Sequence, residues 1–359
     1  MSAKLQLGAS SQRHGKRQQL AHLVGGLGLL PLVQRVRNMV RTELRILAYH
    51  RVRDVVEEQF DFDLALVSAT PEQFRAQVAW LKKEYTPVRL CDVIACINAE
   101  RALPPKAAVI TFDDGYDDNY HVAFPILREL GVPATFFVST GYIDSGAPYA
   151  YDWLVHMFHC SKAHQVVIPE LRIETPMPAE RGARAALAER VLDRIKTLPE
   201  AGQAAVMRRL EDDWSIAPAP HPDSRPMTWD QLREMQAAGM EIGSHGVHHW
   251  MLARLPHDVM IAEVAGSRAT LERELGVPAQ VISYPVGGPD AYSDAVVDEV
   301  RAQKFGIGCS YVSGSNPWPL ADPYALLRLP VERYMDTVWF KGMLAWPELF
   351  SHRSRRRAG

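Results

Sequence analysis

The sequence predicts an α/β fold, a parallel sheet or barrel that carries a helical insertion. Seven short apolar runs bounded by turn residues lie at 46–50, 107–112, 134–139, 241–244, 280–284, 306–311 and 326–331. Helical patterns fall between several of them, and strand–helix alternation argues for parallel strands. The alternation breaks between residues 142 and 226, which predicts an inserted segment.

Each element has a local reason. Ile46-Leu47-Ala48-Tyr49-His50 is apolar up to its last residue, as a short buried strand would be. Thr70-Pro71-Glu72-Gln73 opens a helix with a capping residue, a first-turn proline and a glutamine three positions on. Phe74, Val78 and Leu81 then recur at helical spacing. Ala107-Ala108-Val109-Ile110 predicts a buried strand. A helix over 121–130 stops at Gly131-Val132-Pro133, and one over 263–275 stops at Gly276-Val277-Pro278. Inside the insertion, 179–210 is rich in Ala, Arg, Glu and Leu and predicts one or two helices. Ile216-Ala217-Pro218-Ala219-Pro220-His221-Pro222 is a proline-rich connector. The expected organisation is an N-terminal extension over 1–43, one large domain over 44–345 with the insertion at 142–226, and a basic tail over 346–359.

The composition sets limits. At 359 residues and 47% hydrophobic, the chain can build a sizeable core, and 23% charged residues is ordinary for a soluble protein. A net charge of −2 does not suggest nucleic-acid binding. Cys91, Cys96, Cys160 and Cys309 show neither metal spacing nor a disulfide framework, so a reducing, cytoplasmic setting is the expectation. The apolar stretch 20–33 is too short to span a bilayer comfortably and lacks a clear cleavage site. Arg13, Lys16, Arg17, Arg35, Arg37 and Arg41 surround it, and Arg353, Arg355, Arg356 and Arg357 lie in the tail. Such flanks suit peripheral contact with the anionic inner face of a membrane. The alternative is a helical extension packed on the main domain.

Chemistry concentrates in two motifs. Thr111-Phe112-Asp113-Asp114 is closed by Gly115 and follows the strand candidate at 107–110. Successive strand side chains point to opposite faces, so the acid pair sits where the strand gives way to a turn. One acid there can bind a metal while the other moves a proton. Downstream, His245 and His249 stand four residues apart. On one helical turn they share a face and can reach a single ion, while His248 points elsewhere. Imidazole ligates zinc and related divalent metals, and one Asp with two His leaves positions open for water and substrate. Taken singly, the two histidines could equally be surface residues near a turn.

These motifs resemble those of the polysaccharide deacetylase family (carbohydrate esterase family 4, the NodB-type homology domain). Thr111–Gly115 resembles its first motif and His245–His249 its second. Ser283-Tyr284-Pro285-Val286-Gly287-Gly288 resembles a divergent third. The likeness runs from about Leu44 to Val331. It implies a distorted (β/α)7 barrel, usually of seven strands, and metal-assisted hydrolysis of an N-acetyl or O-acetyl group on a sugar. Carried over by motif, Asp113 is the general base. Asp114, His245 and His249 hold a divalent metal, with Zn²⁺ the expected ion. The Val286 backbone N–H helps bind the oxyanion.

This sequence departs from the pattern in three places. Gly246 stands where Ser or Thr is usual, which removes a hydroxyl that could brace the loop. Ser283 stands where an Arg usually orients the catalytic Asp. Arg328, a lone cation in the apolar run 326–331, is the candidate substitute, because a charge there needs a partner. A snorkelling or rim arginine is the alternative. The family's late Leu-x-His acid has no counterpart after Val331, where only His352 occurs, inside the basic tail. His50, at the end of the first strand candidate, is positioned to act as the acid instead. The alternative is a structural histidine at a strand end.

The expected function is therefore removal of N-acetyl groups from a sugar or polysaccharide, an exopolysaccharide or cell-envelope glycan. Tyr149, Tyr151, Trp153 and Trp229 offer faces for sugar rings, although packing is the plainer expectation for any one of them. Two other readings compete. One is hydrolysis of another non-peptide C–N bond, such as a formamide or cyclic imide. The other is a degenerate glycan-binding barrel.

Overall fold

Seven strands close into a parallel barrel in the computed structural model, which describes residues 18–26 and 28–351. They are β1 (Glu43–Tyr49), β2 (Ala107–Phe112), β3 (Thr135–Val138), β4 (Glu241–Ser244), β5 (Val281–Ser283), β6 (Ile307–Ser313) and β7 (Leu326–Pro330). Each pairs with the next, and β7 returns to β1 with Leu47 opposite Leu329. The strands β1, β2 and β3 are buried along their whole length, so apolar residues dominate them without alternation. The charged exceptions, Glu43 and Arg45 at the start of β1, pair with each other, and Glu43 also pairs with Arg37.

The barrel is distorted at identifiable seams. β2 pairs with β3 only through Thr111 and Phe112, because Thr86–Pro87 occupies the start of that edge. β4 and β5 share a single paired position, Ser244 with Ile282. Asn316–Pro317 adds a short antiparallel bridge to the start of β1. Both additions lie at the amino ends of the strands, so the carboxyl ends stay clear for a site.

The flanking helices follow their sequence signals. Pro71–Glu84 starts at a complete capping box between Thr70 and Gln73 and buries Phe74, Val78 and Leu81. The helix expected over 121–130 forms as one π turn, Asn119–Ala123, that runs into Phe124–Leu130. His257–Leu275 is longer than the sequence pattern suggests and ends on Gly276 in the left-handed region.

The insertion has its own core. Ala150–Cys160, Arg181–Ile195 and Glu200–Trp214 enclose Leu154, Met157, Phe158 and Val191. A hairpin, Gln165–Ile168 with Ile173–Pro176, completes it. Phe60, Phe62 and Val67, from the loop after β1, join this core and bind the insertion to the barrel rim.

At the other end, Leu29–Val40 leads into β1, and Arg37 bonds both Glu43 and Glu348. Ala21 and Leu30 are buried, whereas Leu23, Leu32, Val36 and Met39 are exposed. Among the described residues no helix is long and apolar enough to cross a membrane. The chain stays packed through Phe350, whose carbonyl accepts from Trp339 Nε1. Arg13, Lys16, Arg17, His352 and the tail arginines lie outside the described residues.

Candidate active site

Asp113 continues the sheet for one more bond, its N–H donating to Tyr49 O at 3.0 Å. The backbone then turns sharply, with φ 77° at Asp114 and φ 90° at Gly115. That left-handed pair brings two consecutive carboxylates to the same end of the barrel, which a continuing strand would forbid. A side chain at Gly115 would also press on Val138 Cγ1 at 3.0 Å.

The carboxylate of Asp113 lies against Arg328, which reaches up from within β7. Nη1 and Nη2 donate to its two oxygens at 2.8 and 2.7 Å. The same guanidinium also bonds Ser283 Oγ, Thr111 Oγ1 and Ser310 O. Both partners are fully enclosed, at 2% and 0% exposure. Burial by itself would push the Asp113 carboxyl up. The Arg328 charge, with help from His245, overcomes that and holds it below the ordinary carboxylate range. Serine at 283 is short enough to leave room for this fork.

Asp114, His245 and His249 converge beside it. His245 Nδ1 donates to Ser283 O at 2.8 Å, so that the neutral ring presents an unprotonated Nε2 to Asp114. The Nε2 atoms of His245 and His249 each stand 3.4 Å from Asp114 Oδ1. Two donors held about 2.1 Å from one tetrahedral ion stand about 3.4 Å apart. Asp114 Oδ1 is buried and has no hydrogen-bond partner. One orphaned carboxylate oxygen, equidistant from two imidazole nitrogens, fits a divalent metal.

Residues 245–249 do not form the helical turn expected from the spacing. β4 ends at Ser244, and the chain passes through a loop with φ 74° at Gly246 and φ 60° at His249. The positive φ explains the glycine. Glu263 supplies bracing of the kind a hydroxyl at position 246 would give. Its carboxylate accepts from the N–H groups of Val247 and His248 and from the His248 ring.

Two tyrosines expected to pack or to face a sugar ring have another role. Tyr151 OH donates to Asp114 Oδ2 at 2.9 Å, and Tyr149 OH donates to the Asp114 carbonyl at 2.6 Å. They fix the carboxylate whose other oxygen faces the histidines. Trp153 is buried in the insertion and bonds Glu211. Trp229 bonds Asp144 on an outer helix and lines neither cavity at the site.

His50 and Val286 complete the rim. A cavity of about 200 Å³ is bounded by His50, Asp113, Asp114, His249, Val286, Tyr311 and Arg328. The His50 ring centre lies 5.4 Å from that of Tyr311. Val286, at φ 66°, is 40% exposed at the mouth. Lys196, which no sequence pattern singles out, reaches the same cavity from the insertion. A second cluster, Asp61, His156 and Cys160, also gathers ligand atoms, but Arg181 pairs with Asp61 at 2.6 Å and opposes a cation there.

A closed parallel barrel with an Asp-Asp turn, a His pair and a buried arginine at its carboxyl mouth defines a metal-hydrolase scaffold. The polysaccharide deacetylase family's sequence model matches residues 100–306, and the chain belongs to that family. Over 102 residues the chain is 32% identical to a poly-β-1,6-N-acetyl-D-glucosamine N-deacetylase of Escherichia coli K12, covering 28% of this chain and 14% of that protein. Over 106 residues it is 29% identical to the enzyme of that name from Staphylococcus epidermidis, covering 28% and 37%. The matches thus span well under half of these relatives. Among solved structures, the Streptococcus pyogenes deacetylase PplD superposes with TM-score 0.57 at 19% identity, over 87% of this chain and 100% of that one. IcaB from Ammonifex degensii superposes with TM-score 0.53 at 17% identity, over 85% and 96%. These likenesses show the same fold.

Proposed function

We propose that the protein is a metal-dependent hydrolase that removes N-acetyl groups from a glycan. The observation that carries this is the Arg328–Asp113 pair set beside the Asp114–His245–His249 group. Relatives that deacetylate poly-β-1,6-N-acetyl-D-glucosamine suggest an N-acetylated exopolysaccharide or cell-envelope glycan as the substrate class.

Asp114, His245 and His249 would hold the ion, with Zn²⁺ suited to one carboxylate and two imidazoles. When bound, it supplies Lewis-acid polarisation of the acetyl carbonyl and a lowered pKa for attacking water. Asp113, kept ionised and oriented by Arg328, takes the proton from that water. The Val286 N–H donates to the oxyanion of the tetrahedral species. His50 gives a proton to the departing amine nitrogen, so that acetate and a free amino sugar result. Tyr151 and Tyr149 keep Asp114 in place.

Acetate release from N-acetylglucosamine oligomers, with and without chelator, tests the proposal. Release should require metal and should return when metal is restored. Metal-replete protein that frees no acetate from any N-acetylated glycan offered would refute it.

A further inference from the structure

The catalytic cavity opens into a second one of about 350 Å³. The two share Tyr151, Leu192, Lys196, His249 and Val286, so the second begins at the edge of the metal group. Its far walls are largely apolar. Ile195, Leu198 and Met207 come from the insertion, and Trp250, Met251 and Leu255 from the segment after His249. Five of these six side chains are aliphatic or thioether, offer a sugar no hydrogen bonds and suit a flexible hydrocarbon; Trp250, Gln203 and His248 are the aromatic and polar groups beside them. Cations stand around this apolar trough. Lys196, Arg208 and Arg254 all reach it, and Arg254 ties its two walls by donating to the Lys196 carbonyl at 2.9 Å. The acid there, Glu211, is engaged by Trp153 Nε1 at 3.1 Å.

We propose that this cavity is a subsite for an apolar chain carried by the acetylated sugar and joined to it through an anionic link. The claim rests on the deacetylase reading and narrows its substrate class to a lipid-linked amino sugar. The sugar's acetamide enters the catalytic cavity. The link passes Lys196, where the two cavities meet, and the hydrocarbon lies between Leu198 and Met251.

Three substrates test this: the methyl glycoside of N-acetylglucosamine, its octyl glycoside, and its octyl phosphate at the same carbon. Burying part of an octyl chain should raise kcat/KM over the methyl glycoside about tenfold to a hundredfold, through KM. The phosphate-linked compound should gain about a further fewfold, and added salt should erode that gain. Leu198→Asp and Met251→Asp, on opposite walls, should bring the octyl-to-methyl ratio close to one. Because each ratio is taken within one protein, a general folding defect does not mimic the result. In parallel, calorimetry on the wild-type holoprotein compares octyl and methyl glucoside, which carry no acetyl group and are not turned over. Equal binding of the two, with equal kcat/KM for the neutral substrates, overturns the subsite and leaves the deacetylase reading standing. Preferential octyl glucoside binding without acetate release from any substrate does the reverse. An octyl phosphate no better than the octyl glycoside removes the anionic link.

Discussion

Arg328 and Asp113, 215 residues apart in sequence, meet in a two-point ion pair of 2.8 and 2.7 Å at the carboxyl mouth of the barrel. At 0% and 2% exposure, each depends on the other to remain charged. The pair fixes both the ionisation and the direction of the carboxylate beside the metal group. It also gives Asp113 a cationic partner that Ser283 could not supply.

Removing Arg328 should therefore act twice. Arg328→Ala leaves Asp113 buried without its partner, and loss of one member of such a pair costs about 3–5 kcal/mol of stability. Turnover should fall about a hundredfold or more in the fraction that stays folded, with KM less affected. Arg328→Lys restores charge but cannot form the fork, so it should recover stability better than activity. Unfolding curves and steady-state kinetics on both variants check this. Intact turnover in Arg328→Ala would remove Arg328 from the mechanism.

The two adjacent acids should separate by metal content. Asp113→Asn should abolish acetate release and keep the ion, since Asp114, His245 and His249 are untouched. Asp114→Asn should lose both. Elemental analysis after gel filtration, set against activity, distinguishes them. Equal metal loss in the two variants would contradict the division of labour.

Tyr151 offers a milder test. Its hydroxyl bonds the Asp114 oxygen that points away from the histidines, a contact of the kind that orients a ligand. Tyr151→Phe should weaken metal binding about tenfold to a hundredfold, while activity at saturating metal stays near wild type. Competition with a chelating dye gives the affinity. An unchanged value would reduce Tyr151 to packing.

Much of this site is legible in the amino-acid sequence, and the reasons are local. A strand followed by Asp113-Asp114-Gly115 must turn, and a lone arginine in an apolar strand must find a charge. Thr70 and Gln73 form the cap that their spacing requires. The loop at 245–249 departs from the expected helical turn because i, i+4 spacing is equally satisfied by a loop that turns through positive φ at Gly246 and His249. The hairpin at 165–176 gives no clear signal because its strands are four residues each, too short for alternation to stand out. The contacts of Tyr149 and Tyr151 with Asp114 cross from the insertion to the barrel, and no local pattern encodes them. The second cavity is likewise a product of docking, since its walls come from segments that meet only after folding.

That docking carries a pH signature through Asp152. This buried carboxyl on the first insertion helix accepts from Asp63 N–H at 2.9 Å, Ser224 Oγ at 2.9 Å and Tyr116 OH at 3.2 Å. Burial pushes its pKa up to about 6, even though Arg51 pulls the other way. An unfolded aspartate titrates near about 3.9, so between the two values the native state binds the extra proton. The protonated form stabilises the fold at low pH, and that contribution is lost as pH rises through about 6. Asp152→Asn stays neutral throughout. Measured against wild type by urea unfolding, the asparagine variant should gain about 2 kcal/mol in relative stability between about pH 4.5 and about pH 7.5. Since the absolute effect of the substitution cancels in this comparison, a difference that does not change with pH would show that Asp152 titrates normally. The bond network joining the insertion to the barrel would then be insensitive to its charge.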